Sequence, residues 1–132
     1  MICRYSMADL ENFEEGTLGR DLVEYLKEKN FVLLKNYERH DCKHILFEFE
    51  MDELGEAEMQ FYFLGYGVYS VPTVTSVLAY LVFIPENLKY YKLQYKRGKQ
   101  KRLEKYIDFD QFDYNELLTK NTTELRKKFN IN

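Results

Sequence analysis

Seven residues in the middle of the chain decide the fold prediction: Ile45-Leu46-Phe47-Glu48-Phe49-Glu50-Met51. On an extended chain the apolar residues at 45, 47, 49 and 51 share one side, while His44, Glu48 and Glu50 lie on the other side. This alternation with a period of two predicts a β-strand that buries one face.

The neighbouring segments extend this prediction into a sheet. Met59, Phe61 and Phe63 alternate with polar residues beyond an acidic turn at 52–58, so residues 44–64 are predicted to form an antiparallel hairpin. The uninterrupted apolar run 77–84 predicts a strand that is covered on both faces. Residues 88–109 predict a second hairpin that turns at 97–100, and the short apolar run 31–34 predicts a further strand.

Helix signals lie towards the two ends of the chain. Thr17 is a good N-cap for a helix over 17–29 that ends at Asn30, and a shorter helix is expected before it, between residues 7 and 15. Asp113 caps a predicted helix over 114–130, whose leucines recur at helical spacing. The predicted fold class is therefore α+β: an antiparallel sheet of about five to six meandering strands, with an N-terminal and a C-terminal helix packed on it.

Length and composition fit one domain. The 132 residues are predicted to form a single domain, 1–132, and a chain of this size needs no metal or disulfide staple. The net charge of −3 is unevenly distributed, because residues 1–66 carry 15 acids and 7 bases whereas residues 67–132 carry 7 acids and 12 bases. The two halves thus balance at −8 and +5, which predicts a molecule with two oppositely charged surfaces.

The start of the chain and its cysteines indicate a cytoplasmic protein. No apolar run of signal-peptide length follows Met1, and Cys3 and Cys42 cannot build a disulfide framework. The uncharged stretch 59–85 is long enough to cross a membrane, but Gly65, Gly67 and Pro72 interrupt it. We interpret it as buried sheet, and no membrane partner is expected. The bias towards Lys, Asn, Tyr and Phe is typical of bacterial or phage proteins.

Few residues offer catalytic or metal chemistry. His40, Cys42 and His44 would lie on one side of a strand, but three such ligands fall short of the four that a structural zinc site uses. Gly65-Tyr66-Gly67 lacks the remainder of a phosphate-binding loop. The sequence therefore predicts no catalytic residue, no metal and no cofactor, and the protein is not expected to be an enzyme. A small enzyme acting through His40, Cys42 or His44 is a third alternative, after the two binding functions that follow.

The preferred functional hypothesis is a non-catalytic protein-binding domain. A set of carboxylates and tyrosines, which we name the acidic belt, would lie on and beside the first hairpin: Glu48, Glu50, Asp52, Glu53, Glu56, Glu58, Tyr62, Tyr66 and Tyr69. Carboxylates steer association with a basic protein, and tyrosine is a frequent interface residue. This pattern favours a small immunity or inhibitor protein that blocks the basic cleft of a toxin or nuclease.

The alternative hypothesis is single-stranded nucleic-acid binding, with RNA as the expected ligand, through the basic hairpin 88–109. Its candidate residues, the basic set, are Lys92, Lys96, Arg97, Lys99, Lys101, Arg102, Tyr91 and Tyr95. Cationic side chains interleaved with stackable aromatic rings are typical of such proteins. The sequence pI of about 5.5 weighs against this hypothesis, because nucleic-acid-binding domains are usually basic overall. Association of the chain with copies of itself is possible but is not predicted from the sequence.

Overall fold

The computed structural model describes residues 4–34 and 37–131, and among these residues it has helices but no β-strand. The α+β prediction is wrong: the ranges 44–64 and 88–109 are not hairpins, and the described residues contain no sheet on which the terminal helices could pack. The only β-type pairing in the described ranges is an isolated bridge between Thr17 and Asn121. The helices are α1 (Met7–Glu11), α2 (Leu18–Glu28), α3 (Glu38–Phe47), α4 (Glu53–Tyr66), α5 (Val71–Phe83), α6 (Leu88–Glu104), α7 (Tyr114–Leu117) and α8 (Thr122–Lys128), with a 3-10 turn at Pro85–Asn87.

The alternating stretch 45–51 spans a helix end and a loop. Helix α3 ends at Phe47, and Glu48 takes the left-handed conformation (φ 60°) that terminates it. Helix α4 begins after Asp52, whose side chain accepts the backbone N–H of Gly55 at 2.7 Å. From Phe47 to Glu50 burial alternates as predicted without an extended strand. His44, predicted on the exposed side, is buried, and so is Leu46.

The uncharged stretch forms two helices. Helix α4 ends at Gly67 (φ 98°), a conformation that costs glycine little. Ser70 caps α5, and Pro72 lies in its first turn, where a missing N–H is tolerated. The predicted strand over 77–84 is therefore the second half of a helix, despite its β-branched residues.

Predictions for the N-terminal third of the chain are confirmed more closely. Helix α2 is capped by Thr17, and Asn30 follows it with a φ of 58°. Helix α1 lies within the predicted range 7–15. The predicted helix over 114–130 is instead two short helices, α7 capped by Asp113 and α8 capped by Asn121. The strand predicted over 31–34 is wrong, because these residues have no regular secondary structure.

The described chain divides into two compact units. The first unit contains the residues up to Glu48 and those from Asp108 on, with a core that includes Leu22, Leu46 and Tyr114. The second unit, Phe49–Ile107, contains α4, α5 and α6. The expectation of one domain over 1–132 stays a prediction.

Candidate functional site

Two glycines set the geometry of the second unit. A Cβ on Gly65 of α4 would collide with the backbone carbonyl of Tyr95, and a Cβ on Gly98 of α6 would collide with that of Tyr62. The two helices therefore touch backbone to backbone, as glycine alone permits. This close contact orients the faces of α4 and α6 that meet α5.

Tyr91 of α6 lies at the centre of the resulting core. Its ring stacks on Phe61 of α4 with centroids 4.4 Å apart and an interplanar angle of 5°, and it packs with Ala57 and Val77. Its hydroxyl donates a hydrogen bond of 2.9 Å to the backbone carbonyl of Ile84. Burial raises the pKa of Tyr91, so the hydroxyl remains a hydrogen-bond donor to this carbonyl well above neutral pH.

An apolar groove opens beside this core. Its cavity volume is about 240 Å³, and its lining comes from all three helices of the unit: Phe61, Leu64, Val77, Leu81, Leu88, Tyr91, Lys92, Tyr95 and Lys96. Lys92 and Lys96 are one helical turn apart on α6. Lysine covers apolar surface with its aliphatic stem while the ammonium group stays in water. The groove thus combines an apolar lining with two cations on one wall.

The acidic belt is divided by the fold. Glu48 belongs to the first unit, where Arg126 Nη1 lies 3.7 Å from its carboxylate, and the other members belong to the second unit. Tyr62 and Tyr66 are 3% and 2% exposed, whereas Tyr69 is exposed. Two of the three belt tyrosines therefore lie in the core. Inhibition of a toxin or nuclease stays a prediction.

Members of the acidic belt and the basic set meet between α4 and α6. Gln94 donates to Glu58 at 2.8 Å, and Arg97 donates to Gln94 Oε1 at 2.7 Å. The Arg97 guanidinium also lies 5.9 Å from the centre of the Tyr62 ring. Part of each predicted binding surface therefore stabilises the contact between these two helices.

The basic set lies on a single helix instead of a hairpin. Tyr91 is buried, Lys92 and Lys96 line the groove, and Arg102 packs against Gly67 and lies 5.8 Å from the Tyr106 ring centre. Tyr95, Arg97 and Lys99 are exposed, and Lys101 is partly buried. Nucleic-acid binding through these residues stays a prediction.

His40, Cys42 and His44 lie on α3, so their predicted placement on one side of a strand is wrong. Helical spacing puts His40 and His44 on one face, with ring centroids 4.7 Å apart and one nitrogen of each ring within 4.8 Å of the other. Cys42, two residues from each histidine, is buried in the core. His40 Nδ1 lies 3.3 Å from Asp41 Oδ1. Cys3 is outside the described residues.

A second cavity, of about 350 Å³, lies in the first unit. Its lining mixes both charges with apolar side chains of α7, α8 and the segment before α7: Phe112, Asp113, Glu116, Leu117, Lys120, Asn121, Glu124, Leu125 and Lys128. Asp113 and Asn121 use their side chains to cap the two helices. These polar groups have structural roles, so we regard the groove of the second unit as the stronger candidate site.

Sequence reasoning missed the groove, although one signal was available. Leu88, Tyr91, Lys92, Tyr95 and Lys96 recur at the spacing of one helical face. Read as a hairpin, the same segment presents lysines, arginines and tyrosines together, a pattern that favours nucleic-acid binding instead.

No family model and no curated protein matches the chain. Among solved structures, the chain is similar to a protein of Nostoc punctiforme named for ubiquinone biosynthesis, with a TM-score of 0.74 and 19% sequence identity. The similarity covers 98% of this chain and 70% of that protein. At this identity the likeness shows a shared helical fold.

Proposed function

We propose that the protein binds the apolar chain of an amphiphilic lipid in the groove between α4, α5 and α6. The observation that carries the proposal is the groove itself, whose lining is aromatic and aliphatic apart from the lysine stems. Buried pockets with this lining recognise ligands mainly through apolar contact, and a few polar groups orient the ligand. Lys92 and Lys96 would hold the head group.

The size of the groove indicates how much of a ligand it holds. At about 240 Å³ it is smaller than the roughly 300–1,000 Å³ of a typical small-molecule pocket. The groove therefore accommodates a segment of a chain, with the remainder extending out of it. Ubiquinone, for which the similar structure is named, carries a long isoprenoid tail of this kind. An isoprenoid quinone or one of its precursors is the ligand class we propose.

Displacement of a fluorescent fatty acid by a short-chain ubiquinone tests the proposal. Leu64→Trp fills the groove from α4 and is expected to weaken binding about tenfold or more, since each excluded apolar group removes contact area. Leu103→Trp is the matched control, because Leu103 is exposed on α6 outside the groove lining. Absence of binding to the unmodified protein, or equal affinity of the two variants, would contradict the proposal.

A second candidate function is binding of a divalent metal ion on α3. The observation that favours it is the pair His40 and His44, one turn apart on one helical face, an arrangement that metal-binding helices use. A proton on His40 Nδ1 can bond to Asp41, which would orient the ring and make Nε2 the nitrogen that ligates a metal. Zinc takes three or four protein ligands as a rule, and the pair supplies two of them.

Titration with Co²⁺, followed by visible absorption, tests this candidate. His40→Ala is expected to weaken Co²⁺ binding about tenfold or more, whereas Cys42→Ala leaves the spectrum unchanged because Cys42 lies on another face of the helix. Amide substitutions of single carboxylates across the chain would then identify the remaining ligands. An unchanged spectrum in the His40 variant would exclude the histidine pair.

A further inference from the structure

Helix α5 presents an unusual surface. It contains no charged residue, yet only Thr73 and Val77 are buried. Val71, Val82 and Phe83 are 75%, 70% and 79% exposed, and Leu78 is also exposed. The polar residues of α5 are three hydroxyl side chains and Tyr80, and a helix without charge is normally buried in a protein core or in a membrane. A contiguous apolar surface of this kind marks an interaction site.

The apolar surface continues around the bend that joins α5 to α6. The two helices are bent by 101°, and Leu88, the first residue of α6, is exposed next to the 3-10 turn. The hydrogen bond from Tyr91 to the Ile84 carbonyl holds this bend in place. The exposed residues Val82, Phe83 and Leu88 therefore form a preformed apolar tip, which we name the α5–α6 tip.

Cationic and aromatic side chains follow the tip directly. Lys89, Lys92 and Lys96 are exposed on the first turns of α6. The Lys89 ammonium lies 5.0 Å from the centre of the Tyr90 ring, which is itself exposed. From residue 71 to residue 103 the chain has one acid, Glu86, and five lysines and two arginines more than offset it. Apolar side chains next to lysine and tyrosine match the boundary between lipid chains and anionic head groups.

We propose that the α5–α6 tip inserts into the surface of an anionic lipid bilayer. No single helix in the described ranges is long and apolar enough to cross a membrane, while the bent pair of α5 with the segment Pro85–Glu104 passes that test by length and composition. Its bend of 101° suits docking at one leaflet. Val82, Phe83 and Leu88 would reach the lipid chains, and the lysines would contact the head groups. This docking does not require a lipid in the groove.

Flotation with lipid vesicles tests the proposal. The protein is expected to float with vesicles of phosphatidylcholine and phosphatidylglycerol and to float less with phosphatidylcholine alone. Phe83→Asp is expected to lower the bound fraction about tenfold, since it removes an apolar group and adds a repelled charge. Leu103→Asp is the matched control, with a similarly exposed apolar side chain outside the tip. Far-UV circular dichroism confirms that both variants are folded.

Three results would overturn the proposal: no flotation of the unmodified protein, equal flotation of the Phe83 and Leu103 variants, and equal flotation with both vesicle types. If Phe83→Asp instead converts a dimer into a monomer without changing flotation, a second copy covers the tip and the proposal is wrong. Leu64→Trp, which fills the groove from α4, is expected to leave flotation unchanged. The displacement assay thus reports on groove binding and flotation reports on docking, so either proposal can fail without the other.

Discussion

At the scale of single residues, the tyrosines of α4 support the fold. Tyr66 donates its hydroxyl to the Lys105 carbonyl and accepts the backbone N–H of Ile107, both at 2.8 Å. It thereby ties the end of the second unit to α4, and a buried hydroxyl without such partners would be costly. Tyr62 lies beneath Arg97 of α6. Both tyrosine side chains therefore make stabilising contacts within the second unit.

The raised pKa of Tyr62 predicts that the protein loses stability at alkaline pH. Burial raises its pKa to about 12, and Arg97 acts in the opposite direction, whereas an unfolded tyrosine titrates near pH 10. Between those two pH values the unfolded state releases the tyrosine proton and the folded state keeps it, so rising pH favours unfolding. The free energy of unfolding falls by about 3 kcal/mol over the full shift. Below pH 10 both states keep the proton and the contribution is constant.

Urea unfolding across this pH range checks the prediction. Tyr62→Phe is expected to lose less free energy of unfolding between pH 10 and 12 than the unmodified protein. Burial also raises the pKa of Tyr66 and Tyr114, so the free energy of unfolding of both proteins still falls somewhat with rising pH. If the free energy of unfolding depends on pH identically in the unmodified protein and in Tyr62→Phe, then Tyr62 has the same pKa in the folded and unfolded states and the prediction is wrong.

At the scale of elements, the α4–α6 contact depends on Gly98. Gly98→Ala is expected to destabilise the protein by about 1–3 kcal/mol, because the new methyl group collides with the Tyr62 carbonyl. Intrinsic helix propensity alone predicts the reverse, a gain of up to about 1 kcal/mol. The sign of the change in a urea titration therefore decides between close packing and propensity. Gln100→Ala, on an exposed site of the same helix, is the control.

The end of α3 depends on a residue of α8. Arg126 donates hydrogen bonds to the backbone carbonyls of Ile45 and Leu46, at 2.7 and 3.0 Å. These two carbonyls lie in the last turn of α3. A cation at this end also interacts favourably with the helix dipole. Arg126→Ala is expected to lower the free energy of unfolding by about 1.5–3 kcal/mol, measured by urea unfolding. Lys127→Ala, which alters an exposed neighbour, should have little effect; equal losses in the two variants would contradict this role.

At the scale of the whole molecule, packing is uneven within the second unit. Helix α4 buries eight residues and α5 buries two. Local opening costs less where few apolar contacts hold an element. Amide hydrogens of α5 are therefore expected to exchange faster than those of α4, measured by hydrogen exchange with mass spectrometry. Anionic vesicles should slow exchange in α5 selectively; equal rates in the two helices without vesicles would contradict the inference.

Local signals located several helix boundaries correctly. Thr17, Asp113 and Asn30 act through the backbone within a few residues of themselves, so their roles do not depend on the rest of the fold. The strand predictions failed for a related reason. A period of two over seven residues at 45–51 fits a strand, but a helix end followed by a buried loop residue produces the same alternation of burial from Phe47 to Glu50.

The caps at Thr17 and Asp113, the charge asymmetry and the lack of charge over residues 59–85 follow from the amino-acid sequence alone, because these are properties of single residues or near neighbours. The folded structure is needed to show that residues 88–104 form one helix and that Gly65 and Gly98 bring it against α4. It is also needed to show that the groove opens between α4, α5 and α6. Such features depend on contacts between residues tens of positions apart, and burial in those contacts outweighs the modest intrinsic preference of each residue for helix or strand.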